Sequence, residues 1–134
     1  MIYFSDLGLR NHAIGLFENF NSLTNHGFLF QNFVFTLLKE KLQFKAGRIN
    51  FWRTTDKAEV DFVLDLGNEI VPIEVKFKEL KKPEVGRSLK NFISKYQPSR
   101  AWIINLGYTD KVKMDKTEIR LLPFYDLMDR EIVL

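Results

Sequence analysis

The sequence has no cysteine among its 134 residues, which excludes disulfide bonds and metal sites built on thiolates. It has only two histidines, His12 and His26, and neither has a second ligand at a spacing typical of a metal site. We therefore expect both histidines to be ordinary surface or loop residues. The lack of cysteine also fits a protein of the reducing cytoplasm.

Three further patterns are missing, and each absence excludes a class of protein. No apolar run is long enough to span a membrane. Residues 1–6 lack the basic region that begins a signal peptide. No G-x-x-x-x-G-K-[ST] phosphate-binding loop occurs, so this chain cannot itself be a P-loop ATPase. We expect a cytoplasmic protein with no membrane partner.

The sequence does have ample apolar material for a core. Hydrophobic residues make up 46% of the chain, and 13 of its residues are phenylalanine. No linker or repeat divides the chain, so we expect a single domain over residues 1–134. The net charge of +3, from 20 basic and 17 acidic residues, is compatible with nucleic-acid binding but too small to indicate it alone.

Two β-rich runs separated by a short turn are the most informative part of the chain. Residues 59–64 and 71–76 have the composition of strands, and the Gly-Asn pair at positions 67 and 68 predicts a hairpin turn between them. Because Pro72 cannot donate to a sheet ladder, we expect the second strand mainly from Ile73 onward.

Side chains alternate along a strand, so each predicted strand has one polar and one apolar face. On the first strand, the predicted polar face carries Glu59 and Asp61, and the apolar face carries Val60, Phe62 and Leu64. On the second strand, the polar face carries Glu74 and Lys76, and the apolar face carries Ile73, Val75 and Phe77. If the two polar faces align, Asp61, Glu74 and Lys76 converge.

Convergent carboxylates repel each other unless a cation separates them, and their oxygen atoms are ligands that suit Mg²⁺ or Mn²⁺. A metal held by Asp61 and Glu74 could polarise a phosphate and activate a water. Lys76 could position that water or stabilise the developing charge. The alternative interpretation is a solvated, charged face on an antiparallel hairpin.

Apolar residues at helical spacing predict a helix over residues 27–42. They are Phe30, Phe33, Val34, Leu37 and Leu38. Gln31 shares the face of Val34 and Leu38, and a polar residue there needs a partner, either in a neighbouring loop or at the acidic site. A short earlier helix, capped by Ser5 or Asp6, is predicted to run to about Leu16.

A second helix is predicted from Pro83, which suits a first helical turn, to about Tyr96. Its predicted buried stripe consists of Val85, Leu89, Phe92, Ile93 and Tyr96. The outer face of this helix and the segment before it carry five cations that could contact the phosphates of a nucleic acid. They are Lys78, Lys81, Lys82, Arg87 and Lys90. A solvated helix face is the alternative interpretation.

Further strands are predicted at residues 48–53, 100–106 and 119–122, with a polar loop at 108–117 and a short terminal helix at 123–128. The order of elements is therefore αβββαββα. This order indicates an α/β fold with a central mixed sheet of four to five strands and helices on both faces. The helix between the third and fourth strands permits a right-handed parallel crossover.

This order, with an acidic residue on the second strand and Glu-x-Lys on the third, resembles the PD-(D/E)XK nuclease superfamily and its restriction-endonuclease-like core. Several short sequence segments are similar, more specifically, to the C-terminal domain of uncharacterised function in many prokaryotic AAA+ ATPases. They stand at residues 3–10, 27–34, 51–53, 59–62 and 73–76. The resemblance extends over nearly the whole chain.

The resemblance implies that Asp61 and Glu74 are ligands for Mg²⁺ or Mn²⁺, and that Lys76 orients or activates the attacking water. The implied reaction is hydrolysis of a phosphodiester bond in DNA. The first helix of the superfamily usually supplies a glutamate, and the matching position here is Gln31. Its amide oxygen can accept from a metal-bound water but brings no charge, which weakens the case for catalysis.

The resemblance also implies that an ATPase module precedes this segment, so that residues 1–134 are the C-terminal part of a longer protein. Two functions then compete. The domain is an active nuclease, or it is an inactive nuclease-like fold that binds DNA, dimerises or regulates its ATPase. A purely structural α/β domain with a charged surface hairpin is the third hypothesis.

Overall fold

The structure is a computed structural model that describes residues 26–129. His12, the segment at residues 3–10 and the helix predicted after Ser5 or Asp6 lie outside this range. The elements are α1 (His26–Leu42), β1 (Arg48–Arg53), β2 (Glu59–Asp65), β3 (Ile70–Val75), α2 (Arg87–Tyr96), β4 (Arg100–Asn105), β5 (Asp110–Met114), β6 (Thr117–Pro123) and a 3₁₀ helix (Phe124–Met128). Within this range, neither α-helix is long and apolar enough to cross a membrane.

The six strands form one open mixed sheet in the order β1-β2-β3-β4-β6-β5. Strand β4 runs parallel to both β3 and β6, and the other neighbouring pairs are antiparallel. Parallel neighbours need a crossover connection, and α2 lies within the connection between β3 and β4. The predicted mixed α/β sheet is confirmed, with one strand more than expected.

Each face of the sheet is covered by one helix, so the apolar core has two halves. Helix α1 packs on one face through residues such as Val34 and Leu38. Helix α2 packs on the other face through residues such as Leu89 and Phe92. The central strands are therefore buried on both sides. The packing of the sheet between α1 and α2 positions the ends of β2 and β3. The candidate site lies at these strand ends.

The prediction of a polar loop over residues 108–117 is wrong, because β5 lies within it and pairs with β6. Val112 and Met114 pack against the α2 half of the core, whereas Lys111 and Lys113 are exposed. β5 is an edge strand, where lysines discourage pairing with another chain. With only five residues and two apolar side chains, β5 gives a weak strand signal in the sequence.

A bulge in β2 changes the direction of its side chains. Asp61 and Phe62 together stand opposite the single residue Phe51 of β1. Val60 therefore packs in the α2 half of the core, whereas Phe62 and Leu64 pack in the α1 half. The prediction that these three apolar residues share a face is wrong for Val60, because the extra residue shifts the alternation by one.

The predicted hairpin is confirmed, since β2 and β3 are antiparallel and the turn between them contains Gly67 with a φ of 85°. β3 begins earlier than expected, at Ile70, and includes Pro72, which pairs with Val63. The proline is tolerated because the parallel ladder with β4 starts only at Ile73, after it.

Helix α2 begins at Arg87 with Gly86 as its N-cap, and not near Pro83 as predicted. Residues 76–86 form an irregular connection after β3. Tyr96, predicted for the buried stripe, is exposed at the end of the helix. The late start of α2 brings Gly86 against the end of β3.

Candidate functional site

The candidate site lies where β2 and β3 separate. Their ladder ends at the pair formed by Phe62 and Ile73, and the next residues toward the site are Asp61 and Glu74. The backbone N–H of Val75 donates instead to Oδ2 of Asp61 at 2.7 Å. The carboxylate of Asp61 thus accepts the hydrogen bond that a backbone carbonyl would accept in a continued sheet. It is held at the point where β2 and β3 separate.

Helix α1 provides a second partner for the same carboxylate. Nε2 of Gln31 donates to Oδ1 of Asp61 at 2.8 Å. Phe30, which precedes Gln31, is buried against the sheet, and so is Val34 one turn after Phe30. The packing of α1 therefore sets the position of Gln31. The structure therefore places Gln31 beside the acidic residues, and both oxygens of Asp61 accept a hydrogen bond.

Burial raises the pKa of Asp61 to about 6, well above that of an exposed aspartate. The hydrogen bond from Val75 opposes this rise in pKa, because it stabilises the charged form. The nearby carboxylates Glu74 and Glu59 are smaller contributors to the same rise in pKa, and Lys76 opposes it. The protein thus stabilises the ionised form of Asp61 poorly, and a bound cation would supply the positive charge that stabilises it.

Glu74 is held by the start of α2. The backbone N–H of Gly86 donates to Oε2 of Glu74 at 3.0 Å. A side chain at position 86 would force the carboxylate of Glu74 to move, because the added Cβ atom would come within 2.8 Å of the carboxylate carbon. Gly86 was not predicted to belong to the site. A glycine directly before a helix was the available signal, but its approach to Glu74 arises only in the folded chain.

Lys76 completes the group. Its Nζ lies 3.3 Å from Oε1 of Glu74 and 3.6 Å from Oε2 of Glu84. Its backbone N–H donates to the carbonyl of Ile104 on β4 at 2.8 Å, which anchors the residue at the end of β3. Nζ of Lys78 lies 2.8 Å from Oε1 of Glu84. Glu84, which sequence analysis did not assign to the site, therefore links the two lysines.

The structure brings Asp61, Glu74, Lys76 and Gln31 to the same end of the sheet. Within residues 26–129, no group of three or more histidine or acidic side chains is placed to hold a metal ion. The ligand set would therefore consist of two carboxylates. This number suits Mg²⁺, which binds through one or two carboxylates and keeps waters or substrate phosphates as its other ligands.

Comparison with known proteins assigns a family. The family model described as a domain of unknown function, DUF4143, matches residues 26–127. The chain belongs to the DUF4143 family. No curated protein matches it.

The fold of this DUF4143 domain is similar to that of a chain in the refined half-complex from the tetradecameric assembly of Thermococcus gammatolerans McrB AAA+ hexamers with bound McrC. The TM-score is 0.55 and the sequence identity is 18%. The match covers 73% of this chain and 28% of the other. The DUF4143 chain thus spans little more than a quarter of the length of the chain that it resembles.

The five cations predicted to contact phosphates lie along the connection from β3 into α2. All five are exposed, namely Lys78, Lys81, Lys82, Arg87 and Lys90. Lys78 is paired with Glu84 beside the candidate site. Arg87 follows Gly86 directly, so the cationic surface of the DUF4143 domain continues from the candidate site onto α2.

If Asp61 and Glu74 bind a metal ion, replacing Gly86 with alanine is expected to weaken that binding without unfolding this DUF4143 domain. The new methyl group would displace the carboxylate of Glu74, and loss of a group that orients a ligand typically lowers metal affinity by about 10- to 100-fold. Titration calorimetry with Mn²⁺ measures the loss. Gly107→Ala is the matched control, since a Cβ atom there meets nothing within 4 Å. Equal affinities of the two variants would contradict this role of Gly86.

Proposed function

We propose that this domain is a nuclease of the PD-(D/E)XK type, with a restriction-endonuclease-like core, that uses Mg²⁺ or Mn²⁺ to hydrolyse phosphodiester bonds in DNA. The observation that carries the proposal is the convergence of Asp61, Glu74 and Lys76 where β2 and β3 separate. Their order on consecutive strands agrees with the superfamily that the sequence resembles, whereas Gln31 stands where that superfamily usually has a glutamate.

Each residue of the group has a chemical role in this proposal. Asp61 and Glu74 would hold the cation, which would supply Lewis-acid polarisation of a phosphoryl oxygen and activation of a water. Gln31 donates to Asp61 through Nε2, which leaves its Oε1 to accept from a water. The ammonium of Lys76 orients the attacking water or stabilises the charge that develops on the phosphate.

Lys76 has to give up one contact before a cation can bind. Its ammonium lies beside Oε1 of Glu74, an oxygen that the cation needs. Glu84 is a second partner within 3.6 Å, so Lys76 can leave Oε1 and still contact a carboxylate. We therefore assign to Glu84 the task of keeping Lys76 close to the cation that displaces it.

We also propose that the domain works as part of an AAA+ ATPase in the cytoplasm, with the ATPase module in the same full-length protein. Two observations support this. The sequence is similar to C-terminal domains of prokaryotic AAA+ ATPases, and the fold is similar to a chain from an assembly of AAA+ hexamers with bound McrC. In such an arrangement the ATPase module would form the homo-oligomer, and the nuclease domain would act on the DNA that it handles.

Calorimetric titration of Mn²⁺ into the domain at neutral pH tests the proposal. We expect the wild-type protein to bind Mn²⁺, and Asp61→Asn and Glu74→Gln each to bind it much more weakly. Loss of a group that only orients a metal ligand typically lowers affinity by about 10- to 100-fold, and loss of a ligand itself should cost more. Glu69→Gln is the matched control, because Glu69 is ion-paired with Arg100 at the other end of β3. No binding at millimolar Mn²⁺, either alone or with a short DNA present, would contradict the nuclease function.

A second candidate function is an inactive nuclease-like module that binds DNA, dimerises or regulates its ATPase. The observation that favours it is that all four carboxylate oxygens of Asp61 and Glu74 already contact nitrogen donors. Gln31, which brings no charge, favours it as well. DNA binding that falls steeply with salt, without uptake of Mn²⁺ even when DNA is present, would support this module over catalysis.

A further inference from the structure

A half-exposed phenylalanine follows directly after Lys76 at the end of β3. Phe77 is 45% exposed, whereas Ile73 and Val75, which precede it on the same side of the strand, pack in the α1 half of the core. Phe77 thus continues this apolar stripe, as the alternation of side chains predicted, beyond the last residue of β3. Its ring therefore lies at the border between the core and solvent, next to the candidate site.

The ring of Phe77 is held in place by two rings of α1. Its centroid lies 5.8 Å from that of His26 and 5.4 Å from that of Phe30. The ring planes are tilted by 57° and 53°, so neither neighbour stacks flat on Phe77. The backbone is also fixed, because the N–H of Lys78 donates to the carbonyl of Lys76 at 2.8 Å and closes a three-residue turn around Phe77. A base that stacks on this ring has little side-chain freedom to restrict.

Phe77 and the candidate site are contacted by the same part of α1. Gln31, which donates to Asp61, directly follows Phe30, which contacts the ring of Phe77. Lys76 extends to the other side of β3, toward the connection that leads into α2. The end of β3 thus has an ammonium group on one side and an aromatic ring on the other. A nucleotide has the same division, because its phosphate and its base lie on different sides of its sugar.

We propose that the ring of Phe77 stacks on a nucleobase of the DNA strand in the candidate site, at the nucleotide next to the phosphate that is hydrolysed. The inference rests on the proposed function, because it needs a phosphate held by the cation and by Lys76. The adjoining sugar then lies at the end of β3, and its base reaches the α1 side, where Phe77 lies. Stacking of this kind accepts any sequence, since every base has a π-face.

This contact makes the site selective for unpaired DNA. Inside a duplex, both faces of each base are covered by the neighbouring bases, and no face is available to Phe77. In a single strand, or at an unpaired position beside a duplex, a base can leave its neighbours and stack on an aromatic side chain. The substrate class that follows is single-stranded DNA, or the single-stranded part of a branched DNA.

Fluorescence anisotropy with a short labelled thymidine oligomer tests the inference, with Ca²⁺ in place of Mn²⁺ so that the strand is bound without rapid hydrolysis. Phe77→Leu keeps an apolar contact with Phe30 but has no π-face. We expect it to raise the single-strand Kd by about 5- to 150-fold, which corresponds to the loss of one stacked base. Phe77→Tyr keeps the ring and should bind as wild type does. Tyr125→Leu is the matched control, because Tyr125 is a 50% exposed aromatic residue on the 3₁₀ helix.

A second oligomer shows whether a base is the partner of Phe77. An oligomer of the same length that is abasic at every position keeps the phosphates and has nothing to stack. It should bind wild type and Phe77→Leu with equal affinity, because each change removes the same contact. The thymidine oligomer paired with its complement should also bind both proteins equally. If Phe77→Leu weakened binding of the abasic oligomer as much as that of the thymidine oligomer, the inference would be overturned.

Failure of this inference and failure of the proposed function give different results. Protein that binds Mn²⁺ and single-stranded DNA without any dependence on Phe77 overturns the inference alone. Protein that takes up no Mn²⁺, with or without DNA, yet loses single-strand binding in Phe77→Leu, overturns the nuclease function alone. Wild-type protein that binds neither Mn²⁺ nor the thymidine oligomer overturns both.

Discussion

Under the proposed nuclease mechanism, replacing Lys76 with methionine is expected to reduce the rate of DNA cleavage by about 10²- to 10³-fold, the loss typical of removing one group that stabilises charge in the transition state. Methionine keeps most of the apolar stem of the side chain but has no ammonium to orient a water or to stabilise negative charge. The measurement is the cleavage rate at saturating DNA and Mn²⁺, so that weaker binding cannot imitate a chemical effect.

The same substitution is expected to leave Mn²⁺ affinity unchanged or to raise it. Nζ of Lys76 lies 3.3 Å from Oε1 of Glu74 and competes with a cation for that oxygen. Slow cleavage together with full Mn²⁺ binding would therefore assign Lys76 to the chemistry and not to the metal site. A parallel loss of metal binding and cleavage would show instead that Lys76 supports the structure of the site.

Lys78 offers a matched control two residues away. Its ammonium contacts the same Glu84, at 2.8 Å, from an exposed position. Lys78→Met should keep the maximal rate of cleavage, with any loss confined to DNA affinity. If Lys78→Met slowed cleavage as much as Lys76→Met, the positive charge of the whole segment, and not the position of Lys76, would be responsible.

Replacing Asp61 with asparagine is expected to stabilise the metal-free domain by about 2–3 kcal/mol at pH 7.5, because the pKa of Asp61 is raised from 3.8 to about 6 in the folded protein. Asparagine has no charge to desolvate. Its Oδ1 can still accept from the N–H of Val75, and a rotated amide of Gln31 can accept from its Nδ2. Function and stability therefore make opposite demands on this position.

The sign of the effect follows from proton binding. A carboxyl group with a higher pKa in the folded than in the unfolded state binds its proton more tightly when folded, so protonation favours folding. This contribution is complete below a pH of about 3.8 and is lost as the pH rises through about 6. The difference in free energy of unfolding between Asp61→Asn and wild type should be small near pH 4 and full above pH 7.

Urea denaturation at several pH values measures this difference. Asp65→Asn, at the other end of β2, is the control. Asparagine can keep the hydrogen bond that Oδ1 of Asp65 accepts from Gly67, so its free energy of unfolding should change by less than about 0.5 kcal/mol. Excess Mn²⁺ should stabilise wild type and not Asp61→Asn. If Asp61→Asn were no more stable than wild type at pH 7.5, the charge of Asp61 would not destabilise the fold.

Much of the fold follows from patterns that are local in the sequence. The periodicity of residues 27–42 predicted α1, and the Gly-Asn turn predicted the β2–β3 hairpin. A helix between the third and fourth strands permitted a parallel crossover and so predicted a mixed sheet, and β3 and β4 are parallel neighbours. Elements with a weak local signal were missed or displaced, namely β5 with its alternating lysines and the late start of α2.

The amino-acid composition limits the chemical groups that this domain can use. Without cysteine, a thiolate metal site was excluded, and Asp61, Glu74 and Lys76 stood out as charged residues within apolar strands. How these groups are held depends on contacts between distant parts of the chain. The bulge at Asp61 depends on pairing with β1, and its hydrogen bond to Gln31 joins residues 30 positions apart. Gly86 reaches Glu74 only because α2 packs across the sheet. Strand ends and helix termini are placed by such packing, and local sequence preferences do not encode it.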